Sequence, residues 1–297
     1  MQVKRRAIPV SAIALVLLST LYVQVPVAAQ KQKPATTPSA PLLTRTTTRH
    51  DIRKLGYAGA VTIVGAPAGS ITVEGWQRSE VEVNAEVELR APTTSDLDQL
   101  ALLNGFAIDE DANHIRIITT GTQDKKLLKR LAKDFPKALI GLPWKIDYHI
   151  KVPAMTDVSI DAGTGPIKVS GFEGMIRINA VESVADLSIT GSDLSVTIQK
   201  GVVNFTIPAR SWHGLRAEIK LASGKLAVEL MPGFSGDIDA DVLRTGEIKN
   251  AFPGLEPRER NSIGPRSMRA RGGNGGAMLA FTVGDGTIQI RPVGSEQ

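Results

Sequence analysis

The stretch GDIDADV places Asp237, Asp239 and Asp241 at alternate positions. On an extended strand they share one face, where carboxylates could jointly hold calcium or act as acid and base on a polysaccharide. No partner residue for either chemistry is visible nearby, so the first reading is the wet side of a strand, with a carbohydrate-active enzyme as the alternative. A second group, Arg258, Arg260, Arg266, Arg269 and Arg271, lies in the glycine- and proline-punctuated stretch EPRERNSIGPRSMRARGG beside Glu256 and Glu259. Guanidinium groups so clustered could catch carboxylated or sulfated glycans or the phosphates of envelope lipids, and otherwise form a solvated loop. A third group, Lys125, Lys126, Lys129, Arg130 and Lys133, surrounds Leu127, Leu128, Leu131, Ala132 and Phe135 at helical spacing. That pattern predicts a surface helix with its leucines on the sheet, or a contact with a lipid surface.

Other chemistries lack their residues. His50, His114, His149 and His213 are scattered, no Gly-x-Ser-x-Gly elbow occurs, and there is no cysteine, so triads, zinc sites and disulfides have no support. Neither GTGPIK nor GDGTIQ completes a dinucleotide fingerprint, and Gly224-Lys225 is followed by Leu226 where a phosphate loop needs a hydroxyl. DEDANH spaces Asp109, Asp111 and Asn113 like the start of a calcium loop, but His114 stands where glycine is needed, which leaves a surface turn. No cofactor or metal is implied. Trp76, Trp144 and Trp212 could stack on sugars if exposed, or anchor layers if buried.

The segments that must carry these groups are written mostly with a period of two. Near the N-terminus Lys4, Arg5 and Arg6 precede the apolar run AIPVSAIALVLLSTLYV, with Val27 and Ala29 before a cut, which is the layout of a signal peptide over residues 1–29. Of the formal charge of +5, three charges lie there, so the remainder is nearly balanced and a general nucleic-acid binder is disfavoured. The expected location is the periplasm or outside the cell, with no membrane span in the mature chain. Residues 30–50, rich in Pro, Thr and Lys, read as a flexible leader, and residues 51–297 as one β-rich domain. Within it, residues 51–147 carry strands interrupted by helices at about 93–104 and 124–135, and residues 148–297 a regular repeat with an Arg-rich loop at 256–273.

Ile167, Leu187, Phe205, Leu226 and Ile248 recur at intervals of about twenty residues, with Ile176, Val196, Ala217 and Ile238 between them. Glycines such as Gly165, Gly171, Gly191, Gly224 and Gly246 fall where each coil must turn. One coil cannot hold itself: ordering twenty residues costs about 20–40 kcal/mol of backbone entropy. Burying four aliphatic side chains returns only about 6–12 kcal/mol. The expected fold is therefore mainly β, a solenoid or single-stranded β-helix-like stack, with an antiparallel β-sandwich as the alternative that the same alternation permits.

Three stretches, GSITVEGWQRSEVEVNAEVE at 69–88, YHIKVPAMTDVSIDAGTGPIKVSG at 148–171 and GGAMLAFTVGDGTIQIRP at 275–292, resemble the bacterial putative adhesin family, a domain-of-unknown-function group of exported β-helix-like repeat proteins. The likeness runs from about Tyr57 onward, with the basic helix and the Arg-rich stretch as insertions. It implies a noncatalytic structural or binding module of the cell envelope, whose partner would be a surface glycan or another envelope component. It transfers no catalytic residue.

Overall fold

The structure is a computed structural model that describes residues 41–124, 129, 135–260 and 262–295. The strands are β1 (Leu43–Lys54), β2 (Ala60–Ala68), β3 (Ile71–Trp76), β4 (Glu80–Ala91), β5 (Gly105–Glu110), β6 (His114–Thr120), β7 (Trp144–Pro153) and β8 (Asp157–Thr164). They continue as β9 (Ile167–Ser170), β10 (Ile176–Ser188), β11 (Asp193–Ile207), β12 (Arg216–Leu230), β13 (Gly236–Asn250), β14 (Leu255–Pro257), β15 (Ser267–Gly272) and β16 (Met278–Pro292). All belong to one open sheet. One helix, α1 (Thr94–Ala101), sits where the sequence predicts it: the Thr93 hydroxyl accepts from the Asp96 backbone N–H, and Leu97 and Leu100 are buried. The second predicted helix, at 124–135, falls largely outside the described residues.

Parallel pairing dominates from β8 onward. The first half of β10 pairs with β8 and its second half with β9, and β10, β11 and β12 then lie side by side in register. Each of these long strands holds two alternating runs separated by a break in the alternation, as in β10, where Val181 and Glu182 are both exposed. Inward positions on both runs are apolar apart from Ser183 on β10, and the apolar ones join one continuous core. The stacked rows differ in detail from the twenty-residue series. Ile167 lies beside Ala185, then Val203 and Leu226, whereas Leu187 and Phe205 belong to a neighbouring row with Val169 and Val228. Val196 likewise stands one row over from Ile176 and Ala217, beside Ile178 and Ile219. Loops of unequal length shift the phase by two residues, which preserves the face and changes the neighbour.

Two further expectations are corrected. The strand β13 does not follow β12 in the sheet, because the last strand, β16, lies between them and pairs in parallel with both. Residues 43–50, assigned to the flexible leader, are instead strand: β1 begins at Leu43 and pairs antiparallel with β4 over its full length. Its side chains are mostly exposed, so no apolar alternation announces it, and three arginines spaced by four hold it. Arg45 pairs with Asp98 of α1 at 2.8 Å, Arg49 donates to the Phe106 carbonyl at 2.9 Å, and Arg53 reaches Glu110 at 3.2 Å.

Where the long strands break, glycines stand in register: Gly201 beside Gly224, Gly224 beside Gly286, and Gly286 beside Gly246. At Gly224 φ is +141°, and a Cβ there would overlap the Gly201 carbonyl oxygen. Only glycine lets adjacent backbones pass this close in that conformation. In β10 the equivalent place, opposite Gly201, is Ser183, whose buried hydroxyl has no hydrogen-bond partner among the described residues.

Candidate functional site

The acidic row and the Arg-rich stretch, separate in the sequence, meet on one surface. Alternation places Asp237, Asp239 and Asp241 on β13, and β15 runs antiparallel beside it with Asp237 opposite Arg271, Asp239 opposite Arg269 and Asp241 opposite Ser267. Arg271 Nε and Nη2 donate to the two oxygens of Asp237 at 2.7 and 3.0 Å, a bidentate fork. Arg269 bonds Asp241 through Nη1 at 3.1 Å and Nη2 at 2.8 Å, and its Nε lies 3.5 Å from Asp239. Arg258, next to β14, completes the set by pairing with Asp239, and the Ser267 hydroxyl donates to Asp241 at 2.8 Å. The Arg271 hydrogen bond, against a smaller opposing effect of burial, holds the Asp237 carboxyl below its ordinary value.

Each predicted carboxylate is therefore matched by a guanidinium. Their donors and acceptors are largely directed at one another, which disfavours a cluster of free carboxylates for calcium and a cluster of free guanidiniums for anions. Arg266 donates to the Arg244 carbonyl at 2.9 Å, while Arg260 is exposed with no ion pair among the described residues. The stretch expected as a loop at 256–273 thus carries β14 and β15. Together with backbone bonds from Val242 to Arg266 and from Ile248 to Pro265, it covers the outer edge of β13. Covering such an edge is what keeps a stack of strands from adding another chain.

Of the basic group Lys125, Lys126, Lys129, Arg130 and Lys133, only Lys129 lies within the described residues, and it is exposed. Asp111 Oδ1 accepts from the backbone N–H groups of Asn113 and His114, so DEDANH forms the surface turn between β5 and β6. Trp212 is buried, edge-on to Phe205 at 5.8 Å, and donates to the Ser192 carbonyl; it is a layer anchor. Among the described residues no group of three or more His, Asp and Glu side chains could hold a metal ion.

Sequence reasoning missed two hollows. The first, of about 450 Å³, lies on the outer face of β1, β4, β7, β3 and β9. Pairing sets His50, Asn84, His149, Thr72 and Lys168 in one row across those five strands. His149 Nε2 is 3.3 Å from Glu74, and Glu86 and Asp147 line the same depression. Asp147 Oδ1 accepts from the Ser70 N–H at 2.6 Å and hydroxyl at 2.7 Å, while Lys145 reaches Oδ2 at 2.8 Å. Burial acts to raise its pKa, but these bonds outweigh it and the carboxyl stays below its ordinary range. The second hollow, of about 530 Å³, is enclosed by the loops that leave β1, β3 and β7 and exposes Tyr57 and part of Trp76.

Comparison with known proteins adds little. No family model matches the chain, and no curated protein does. A solved structure of a putative cell adhesion protein from Clostridium sporogenes is similar over 84% of this chain and 100% of its own, with 11% identity and a TM-score of 0.45. So loose a likeness assigns neither family nor function.

Proposed function

We propose that the chain is an exported, noncatalytic structural and binding module of the cell envelope, its parallel strands wound as a β-solenoid. The supporting observation is the pairing of Asp237, Asp239 and Asp241 with Arg258, Arg269 and Arg271. The residues best suited to catalysis in the sequence hold the end of the stack together, and what the molecule offers outward is a long, rigid polar surface. Export rests on the signal-peptide layout of residues 1–29, and the ligand class proposed is a surface glycan. No helix among the described residues is long and apolar enough to cross a membrane.

A glycan array probed with the full chain, beside a reducing-sugar release assay on the same glycans, tests the reading. Binding without release is the expected result; steady release of cleaved sugar overturns it. A second reading, a carbohydrate-active enzyme, is favoured by the polar hollow that brings Glu74, Glu86 and His149 together. In that case Glu74→Gln or Glu86→Gln would abolish release, whereas Asp239→Asn would leave it intact.

A further inference from the structure

Three turns converge at the second hollow, joining β1 to β2, β3 to β4 and β7 to β8. Backbone hydrogen bonds tie them together: Leu55 N–H to the Ser79 carbonyl at 3.3 Å, Ala154 N–H to the Trp76 carbonyl at 3.0 Å, and Asp157 N–H to the Gly59 carbonyl at 3.3 Å. At the tip of the first turn stands Tyr57, 99% exposed, followed by Ala58 at φ +53°. A non-glycine residue in that conformation costs about 1–2 kcal/mol. Gly56 cannot be replaced cheaply either, because a Cβ there would meet the Ala112 carbonyl oxygen at 2.8 Å. The turn is thus strained and tightly packed at its base, and its product is an aromatic ring held clear of the protein.

Across the hollow Trp76 is fixed by its indole N–H, which donates to the Glu80 carbonyl at 2.8 Å, and the Arg78 guanidinium lies 4.9 Å from its ring centre. Arg78 has no ion pair among the described residues, and no acidic side chain lines the hollow. Gln77 and Ser79 add polar groups at the rim, and Met155, 68% exposed, adds apolar surface.

We infer that this hollow binds a carboxylated sugar, a uronic-acid residue of an acidic glycan. The pyranose face lies on the Tyr57 ring, and the carboxylate is received by Arg78, which Trp76 holds in place. A flat ring with an apolar face and a polar rim fits an aromatic platform flanked by amide and hydroxyl groups. The carboxylate matches the unpaired guanidinium fork. The hollow is concave and rimmed with hydrogen-bonding groups, which suits a saccharide better than the protruding apolar face that a lipid surface takes. The inference rests on the reading of the chain as a glycan-binding module and gives that module a site.

The test is calorimetric titration of the full chain, in about 0.15 M salt, with tetrasaccharides of galacturonate, mannuronate and hyaluronan, with methyl-esterified tetragalacturonate, and with maltotetraose. Wild type should bind at least one acidic tetrasaccharide. Tyr57→Ala should weaken that binding by about tenfold or more, equivalent to about 1.4 kcal/mol, with an unchanged circular dichroism spectrum. Arg78→Gln should erase the preference for the acid over its ester, and Arg260→Gln should change nothing. No binding of any acidic tetrasaccharide at millimolar concentration overturns the inference. So does binding undiminished in Tyr57→Ala, or sedimentation with anionic phosphatidylglycerol vesicles that Tyr57→Ala abolishes while no sugar binds. Binding that depends on Tyr57 but is accompanied by cleavage leaves the site standing and removes the noncatalytic reading. Binding that ignores Tyr57 does the reverse.

Discussion

Replacing Gly224 by alanine tests the packing at the centre of the stack. Two costs apply there, and other glycines separate them. The first is conformational: φ is +141° at Gly224, a region that side chains of L-residues enter at about 1–3 kcal/mol. The second is steric. The new Cβ would overlap the Gly201 carbonyl oxygen and stand 2.9 Å from its carbon, whereas carbon atoms settle at about 3.5–4.0 Å. The neighbouring atoms are backbone held in the ladder, so relief requires parting two hydrogen-bonded strands, an overpacking that costs a further 1–3 kcal/mol or about that. Gly233, at φ +76° with nothing near its Cβ position, carries only the first cost, and Gly105, with neither feature, carries none. Urea unfolding of the three alanine variants, compared at equal slope, should therefore give losses of about 2–6, about 1–3 and under about 0.5 kcal/mol, in that order. If Gly224→Ala loses no more than Gly233→Ala, close backbone approach is not what selects glycine along this column.

Ser183→Ala removes a buried hydroxyl without a partner and should stabilise by about 1 kcal/mol. Differential scanning calorimetry would show a midpoint raised by about 2–4 °C; a lower midpoint would mean that the hydroxyl is satisfied. Tyr148 Oη and Thr119 Oγ1 share a buried 2.8 Å hydrogen bond, and burial pushes the phenol pKa up. Tyr148→Phe strands the threonine and should cost about 1–3 kcal/mol, most of it recovered in Tyr148→Phe/Thr119→Val, so equal losses in the single and double variants would contradict the pairing. Asp285 is held down to about 2, first by its hydrogen bond from Arg244 and then by that from Thr245. Asp237 is lowered by Arg271. A carboxyl lowered on folding stabilises above its unfolded value near ~4 and loses that contribution as pH falls through the folded value. The urea midpoint should therefore decline between about pH 4 and pH 2, and less steeply in Asp285→Asn; an identical slope would show that this pair does not contribute.

Legibility in the sequence followed the kind of interaction. Period-two alternation marked the strands from Ala60 onward because one face of each is buried, and Thr93 with Asp96 marked the start of α1. The edge strand β1 was invisible because it is held by arginines reaching sideways and not by an apolar face. The order of the last strands was hidden too. Two sequential strands of equal length, β12 and β13, look like neighbours whether or not a third lies between them. In the Asp–Arg ladder both halves were visible and their union was not. The one usable signal was that Arg269 and Arg271 repeat the i, i+2 spacing of the aspartates with opposite charge, as facing strands would. For the hollow, the tight Gly56-Tyr57-Ala58-Gly59 turn was the clue, since glycines on both sides of a large aromatic residue can thrust it into solvent.

The position of β16 bears on how the molecule is completed. Because β16 is wedged between two strands that are synthesised earlier, the far segment of β13, β14 and β15 has no parallel partner to rest on until β16 arrives. A polypeptide made from its N-terminus carries that gap unfilled until β16 follows. The closing event is then a keystone insertion, and a chain cut short before Met278 would leave the facing borders of β12 and β13 unpaired.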